Sequence, residues 1–97
     1  MMHFSINSIG VGGDNRCFII AEMSANHNQD FDLAVKTIHA VKESGADAIK
    51  FQTYTADTIT LNCKNNFFKI KTGGNWDGKT LYELYSEAYT PWEWQPQ

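Results

Sequence analysis

Two apolar runs in this chain each lead into side chains that can do chemistry. The first run is followed by a carboxylate, an amide and an imidazole, and the second by an ammonium group, an amide and a hydroxyl: Glu22, Asn26, His27, Lys50, Gln52 and Thr53. A carboxylate can handle protons, hydroxyl groups or a metal-bound water, and an ammonium group can hold an anion. If the two runs meet, the set suits a phosphorylated or carboxylated small molecule.

Each of these residues also has a purely structural interpretation. Glu22 could be a strand-end carboxylate that reaches water or pairs with a cation, and Lys50 could be an edge-strand lysine that discourages aggregation. A single imidazole such as His27 is more often a hydrogen-bonded loop histidine than a metal ligand. However, a strand of a βαβ unit is normally covered on both faces, so Lys50 needs an anionic partner.

The elements that must position these residues form a predicted βαβ unit. Residues 17–23 and 47–54 are predicted strands, and residues 31–44 between them have the spacing of an amphipathic helix. Asp30 is the expected N-cap, and Gly45 is the expected residue after the helix. A right-handed crossover brings the C-terminal ends of both strands to one edge of the sheet. That edge binds ligands in (β/α)8 barrels and open α/β sheets.

The remaining segments have less regular patterns. Residues 3–13 suit a short strand or hairpin, residues 55–79 a long loop, and residues 80–88 a helix of about two turns. Residues 90–93, Thr-Pro-Trp-Glu, fit a capping box that opens a further helix. Because Trp92 and Trp94 would then lack packing partners, we interpret residues 1–97 as a single, incomplete domain.

Composition restricts the class of protein. The chain has 97 residues, 42% of them hydrophobic, and a formal net charge of -3, which gives no electrostatic case for binding nucleic acid or an anionic membrane. Two cysteines, Cys17 and Cys63, are too few and too far apart for a disulfide framework or a zinc site, and we expect both to be reduced, Cys17 as a strand residue. No targeting segment or membrane span is evident, so we expect a cytoplasmic protein.

The two runs carry a resemblance to a known family. Residues 18–27, Phe-Ile-Ile-Ala-Glu-Met-Ser-Ala-Asn-His, and residues 45–53, Gly-Ala-Asp-Ala-Ile-Lys-Phe-Gln-Thr, resemble the N-terminal signature of the sialic acid synthase family. Residues 74–85 and 90–94 are most similar to the branch of that family that makes pseudaminic acid. The branch that uses N-acetylmannosamine to make sialic acid is the alternative.

The resemblance implies a fold, a reaction and partners. The fold is α/β: about the first two β/α units of a (β/α)8 TIM barrel, followed beyond residue 97 by the rest of the barrel and a C-terminal antifreeze-like domain. The substrates are phosphoenolpyruvate and an acetamido sugar, specifically a 2,4-diacetamido-trideoxy-hexose. The double bond of phosphoenolpyruvate attacks the metal-polarised sugar aldehyde, water adds at C2, and phosphate leaves by C–O cleavage. The resemblance also implies Mn²⁺ or Mg²⁺ and a homodimer.

The resemblance also assigns roles to individual residues. Glu22 matches the active-site glutamate, Lys50 the lysine that holds phosphoenolpyruvate, and Gln52 a substrate-side amide. Further candidates for substrate binding are Thr53, Asn26, His27, Asn75 and Tyr82. The metal-binding histidines of the family come from later strands, so no metal ligand is expected within residues 1–97, and we expect this chain alone to be inactive.

Two other classes of function stay open on the sequence. One is a non-catalytic α/β module whose polar strand ends bind a sugar or a protein. The other is a phosphate-handling barrel enzyme, such as an aldolase or isomerase, in which Lys50 would form a Schiff base.

Overall fold

A computed structural model describes residues 2–97 of the chain as a mixed α/β arrangement. The strands are β1 (His3–Ile6), β2 (Ile9–Gly12), β3 (Ile20–Ser24) and β4 (Ala48–Phe51), and the helices are α1 (Phe31–Glu43), α2 (Ala56–Ile59) and α3 (Leu81–Glu87). Two 3₁₀ turns lie at Asn66–Phe68 and Trp92–Trp94. The described residues form two two-stranded sheets and do not themselves close into a barrel.

The N-terminal hairpin pairs β1 with β2 in antiparallel register, from His3 opposite Gly12 to Ile6 opposite Ile9. Asn7 and Ser8 between the strands both have positive φ, 45° and 68°. This is the backbone that a two-residue type I′ turn requires, and it matches the right-handed twist of the strands. The hairpin expected within residues 3–13 is therefore confirmed.

The second sheet is the predicted βαβ unit. β3 and β4 are parallel, α1 connects them, and Glu22 lies directly opposite Lys50 in the register. The register shifts between Glu22 and Ser24, so Met23 points into the core, where it is 7% exposed. The parallel pairing of the two predicted strands is confirmed.

The bounds of β3 differ from the prediction at its start. Cys17 is exposed and lies before β3, so its interpretation as a strand residue is wrong. The cause is Asp47, whose Oδ2 accepts a hydrogen bond from the Ile19 backbone N–H at 2.8 Å and whose carboxylate also pairs with Arg16. The Ile19 carbonyl still accepts backbone N–H groups of Asp47 and Ala48, but its own N–H donates to a side chain, and regular pairing begins only at Ile20.

Helix α1 begins and ends as its sequence predicts. Asp30 is the N-cap and its Oδ1 accepts a hydrogen bond from the Leu33 N–H at 3.0 Å. Gly45 has φ of 88°, a left-handed conformation that favours glycine, and its N–H donates to the Lys42 carbonyl at 3.2 Å. Ala34 on the inner face of the helix is buried. The helix is capped at both ends and packs against β4.

The segment after β4 contains more structure than its sequence indicates. Within residues 55–79, expected as a loop, α2 forms a single turn whose Thr55 and Thr58 exchange hydrogen bonds. Helix α3 is the helix predicted over residues 80–88, and it packs against α2. Its Thr80 and Glu83 form a reciprocal capping box.

The capping box expected at residues 90–93 is wrong. Pro91 precedes only a 3₁₀ turn, and Thr90 caps nothing because its hydroxyl is buried in contacts with β3 and the following loop. The expectation that Trp94 lacks a packing partner is also wrong, since its ring centroid lies 5.4 Å from that of Phe31. Trp92 is 59% exposed.

The longest helix that the structure describes in residues 2–97 is too short and too polar to cross a bilayer.

Candidate active site at the strand ends

The charged centre of the candidate site is an ion pair across the two parallel strands. Lys50 Nζ lies 3.1 Å from Glu22 Oε2, and the two side chains are 55% and 50% exposed. The anionic partner expected for Lys50 is therefore Glu22. A pair this exposed contributes at most about 1 kcal/mol to stability. A phosphate or carboxylate ligand can therefore compete for the ammonium group at little cost to the fold.

An amide beside this pair is held in a fixed orientation. The Ser24 hydroxyl donates to Gln52 Oε1 at 2.6 Å, and the Gln52 backbone N–H donates to the Ser24 carbonyl at 3.0 Å. Because its oxygen accepts from Ser24, Gln52 presents its amide nitrogen as a donor. An exposed, oriented donor at a strand end suits a hydroxyl, carbonyl or carboxylate oxygen of a ligand.

His27 lies in the interior and not on the surface of the site. Its side chain is 0% exposed, and its ring centroid lies 4.7 Å from that of Trp94. Nδ1 accepts the Gln29 backbone N–H at 3.2 Å, and Nε2 lies 2.8 Å from the Thr90 hydroxyl oxygen. Burial lowers the pKa of His27 below its ordinary value of 6.5. The imidazole is thus neutral near pH 7, and its contacts are those of a hydrogen-bonded loop histidine.

The other predicted site residues lie in three different places. The Thr53 hydroxyl accepts a hydrogen bond from Gln95 Nε2 at 2.6 Å. The Tyr82 hydroxyl donates to Asp57 Oδ1 at 3.0 Å, and this hydrogen bond to a carboxylate raises the pKa of Tyr82. Asn75 is exposed in the turn before α3. Thr53 and Tyr82 therefore contact protein groups in this structure, whereas Asn75 faces solvent.

A hollow of about 260 Å³ lies beside the strand ends. One wall comes from the end of β3, the loop after it and the segment after β4, and the other from α3 and the turn before it. The polar and aromatic residues of its lining include Ser24, Asn26, Gln52, Tyr54, Trp76 and Tyr85. The hollow thus brings together two of the predicted site residues, Asn26 and Gln52. Amides beside aromatic faces suit a polar, partly apolar ligand such as a substituted sugar.

A second hollow of about 290 Å³ lies between α1 and residues 90–97. Its walls are mostly apolar, with Phe31, Val35 and Trp94 among them. Glu22 and Lys50 line neither hollow. We place the candidate site at the strand ends, because the Glu22–Lys50 pair and the oriented Gln52 amide lie there and Gln52 also lines the first hollow.

The three aromatic residues of the first hollow were not predicted from the sequence as site residues. Tyr54 and Tyr85 pack edge to face with centroids 5.4 Å apart, and the Tyr54 hydroxyl donates to the Ala88 carbonyl. Trp76 lies in a turn that Asp77 holds by accepting the Thr72 and Gly73 backbone N–H groups. A large aromatic residue within a polar, glycine-rich turn was the available indication for Trp76.

Within residues 2–97, no three His, Cys, Asp or Glu side chains are grouped as metal ligands. Glu22 can offer carboxylate oxygens to a cation, but its neighbour across the sheet is an ammonium group. The residues of this chain therefore do not fit a complete metal centre by themselves.

Comparison with known proteins gives consistent relatives. Over 84 residues the chain is 56% identical to a pseudaminic acid synthase of Campylobacter jejuni, covering 87% of this chain and 24% of that protein. A pseudaminic acid synthase of Helicobacter pylori is 56% identical over 79 residues, which cover 81% of this chain and 23% of that protein. An N,N'-diacetyllegionaminic acid synthase of Legionella pneumophila is 58% identical over 48 residues, which cover 50% of this chain and 14% of that protein.

The chain spans about a quarter of the length of the pseudaminic acid synthases that it matches. Residues 37–97, from within α1 to the last residue, match the family described as NeuB. This region includes Lys50, Gln52 and Thr90. The resemblance carried by the two strand motifs is thereby confirmed. Because the match covers more than half of the chain, this chain belongs to the NeuB family.

Proposed function

We propose that the full-length protein condenses phosphoenolpyruvate with a 2,4-diacetamido-trideoxy-hexose to give pseudaminic acid and phosphate. The observation that carries the proposal is the Glu22–Lys50 pair, exposed at adjacent parallel strand ends in a chain whose relatives are named as pseudaminic acid synthases. The legionaminic acid synthase supports a diacetamido acceptor by its name. A direct comparison of the two acceptors separates the sialic acid alternative, in which the acceptor is N-acetylmannosamine.

The proposed reaction makes one C–C bond and, at C2, replaces the C–O bond to phosphate by a C–O bond to water. C3 of phosphoenolpyruvate attacks the aldehyde carbon of the sugar, and the oxygen of water adds at C2. As the phosphate leaves with its bridging oxygen, C2 becomes a ketone, and the two protons of the water end on the former aldehyde oxygen and on the phosphate. Lys50 holds an anionic group of phosphoenolpyruvate, since its ammonium group is exposed and charge-assisted contacts are the strong ones. Glu22 is the residue of this chain that can accept or deliver a proton at the reacting groups.

The acceptor sugar is proposed to lie against the hollow. Gln52 and Asn26 offer donors and acceptors to acetamido groups and hydroxyls, and Trp76 and Tyr85 offer apolar faces to the ring and methyl groups. Thr53, Asn75 and Tyr82 stay candidates for substrate binding that the resemblance alone supports. His27 is a candidate on the same ground, but its ring is buried and both of its nitrogens contact protein groups.

The proposal extends to the rest of the protein. We propose that residues 1–97 are the N-terminal part of a (β/α)8 barrel domain, that a C-terminal antifreeze-like domain follows, and that the protein is a homodimer. A divalent cation, Mn²⁺ or Mg²⁺, is proposed to bind mainly through residues outside this chain. A cytoplasmic location suits an enzyme that consumes a phosphorylated metabolite.

The test of the ion pair is Lys50→Met in the full-length protein. Losing a charge-assisted hydrogen bond of about 1.5–3 kcal/mol should raise the KM for phosphoenolpyruvate about tenfold or more. Steady-state phosphate release measures this KM. The matched control is Lys36→Met, on the exposed face of α1. An unchanged KM in Lys50→Met would remove Lys50 from the proposed site.

The wild-type full-length protein tests the Schiff-base alternative. Borohydride treatment in the presence of substrate would trap a covalent adduct on Lys50 if the protein were an aldolase of that kind. We expect no adduct by mass spectrometry.

A further inference from the structure

A buried hydrogen-bond chain joins the loop after β3 to the segment after α3. It runs from the Gln29 backbone N–H through the His27 ring and the Thr90 hydroxyl to the Ser24 carbonyl. We call these four groups the clasp. His27 is 0% exposed and Thr90 is 2% exposed, in a chain whose fully buried hydrophobic residues are few and mostly small.

One fixed donor sets the direction of every hydrogen bond in the clasp. The Gln29 backbone N–H can only donate, so His27 Nδ1 must accept. A neutral ring then carries its proton on Nε2 and donates it to the Thr90 hydroxyl oxygen, 2.8 Å away. Thr90 in turn donates its own proton to the Ser24 carbonyl at 3.1 Å. Each of the three hydrogen bonds in the clasp can therefore form in only one donor-to-acceptor direction.

Thr90 also contacts the residue that follows β4. Its backbone N–H donates to the Gln52 carbonyl at 2.8 Å, while its hydroxyl donates to the Ser24 carbonyl. One residue thus holds the last residue of β3 and the first residue after β4. Ser24 has φ of 56°, a left-handed conformation that a residue with a side chain adopts only when its surroundings impose it. The clasp supplies such a constraint.

The Gln29 side chain, next to the clasp, joins the loop after β3 to the end of α3 and the residues that follow it. Gln29 Nε2 donates to the Glu87 carbonyl at 3.2 Å and to the Tyr89 carbonyl, beside the part of α3 that lines the hollow. Ser24 and Gln52 line the opposite wall. Thr90 itself does not line this hollow, but it contacts the backbone carbonyls of Ser24 and Gln52, which do.

We propose that His27 and Thr90 are positioning residues, which hold Ser24, Gln52 and the walls of the hollow in the geometry that binds the acceptor sugar. The inference rests on the proposed function. It assigns neither residue a contact with substrate. The proposal predicts that losing the clasp weakens binding of the acceptor sugar and leaves binding of phosphoenolpyruvate unchanged. The reason is that Lys50, which is proposed to hold phosphoenolpyruvate, lies outside the clasp.

The test compares Thr90→Val with Thr90→Ser in the full-length protein. Valine keeps the shape but loses the hydroxyl, so the KM for the acceptor should rise about tenfold while the KM for phosphoenolpyruvate stays within about twofold. Serine keeps the hydroxyl and should restore the acceptor KM to within about twofold of the wild-type value. A general structural defect would impair both substrates alike and would overturn the proposal, as would equal defects in the two variants or none in Thr90→Val.

A measurement on the unmodified protein covers the case in which Thr90→Val does not fold. Nitrogen-15 NMR of labelled histidine at pH 7.5 should show His27 as the neutral tautomer with its proton on Nε2. A proton on Nδ1, or a charged ring, would overturn the clasp. If the wild-type protein released no phosphate from phosphoenolpyruvate, the proposed function itself would fail. An active wild-type protein with an unaffected Thr90→Val variant would refute the positioning role alone.

Discussion

At the residue scale, the chemistry of the candidate site depends on which charges are exposed and which polar groups are buried. Glu22 and Lys50 are half exposed and pair across the sheet, whereas His27 and Thr90 are buried and pair with each other. The exposed pair can exchange partners with a ligand, since little desolvation is involved. The buried pair keeps its partners, because an unsatisfied buried group would cost about 1–3 kcal/mol.

The sequence predicted the exposed pair and missed the buried one, for a physical reason. Glu22 and Lys50 follow from alternation along two strands and one crossover, which are local patterns. The contact between His27 and Thr90 joins residues 63 positions apart. Thr90 also fits a local alternative, the N-cap of a helix, and only the folded chain shows that its hydroxyl is used elsewhere.

Burial of His27 predicts a pH dependence of stability. Because burial lowers its pKa below 6.5, the unfolded chain binds a proton more readily than the folded one. The stabilisation is complete above about pH 6.5 and is lost as the pH falls toward the lower pKa of the folded state. Thermal midpoints of the full-length protein between pH 7.5 and 5.5 should fall more steeply in the wild type than in His27→Gln.

The control for that measurement is His39→Gln, on the exposed face of α1. It should show the same pH slope as the wild type. If His27→Gln also kept the wild-type slope, the buried imidazole would not be the source of the pH dependence.

At the scale of elements, the helices with complete caps were predictable and the irregular ones were not. α1 has an N-cap, an amphipathic stripe and a terminal glycine, and α3 has a capping box. α2 is a single turn held by Thr55 and Thr58 and packed on α3, so its stability comes from a tertiary contact. The start of β3 was misplaced because the Asp47 side chain replaces a backbone partner.

The Thr80 cap gives a prediction for α3. The Thr80 hydroxyl accepts the Glu83 backbone N–H at 3.2 Å, and the Glu83 carboxylate accepts the Thr80 N–H at 2.8 Å. Thr80→Ala should destabilise the helix by on the order of 1 kcal/mol. Hydrogen exchange of the α3 amides in the full-length protein should then be faster, whereas Thr80→Ser should exchange like the wild type. Equal protection in Thr80→Ala would show that tertiary contacts alone hold the helix.

At the scale of the whole molecule, the chain gives one parallel strand pair, its crossover helix and one side of a candidate site. The strand–helix–strand order of residues 17–54 could be predicted from periodicity, and the described residues confirm the parallel pair. Ile19, Ile20 and Ile38 are each more than a third exposed. Such apolar faces support the proposal that further β/α units of a barrel cover them. The sequence could not supply contacts with residues that it does not contain.

The proposed function requires this chain to contribute Glu22, Lys50 and the hollow to a synthase that joins phosphoenolpyruvate to a diacetamido sugar. The most direct test incubates the full-length protein with phosphoenolpyruvate, a divalent cation and either a 2,4-diacetamido-trideoxy-hexose or N-acetylmannosamine, and measures released phosphate and the mass of the sugar acid. We predict acceptor-dependent phosphate release in equal amount to the sugar acid, with the diacetamido sugar preferred. Preference for N-acetylmannosamine would contradict the acceptor, and no acceptor-dependent release with either sugar would contradict the account as a whole.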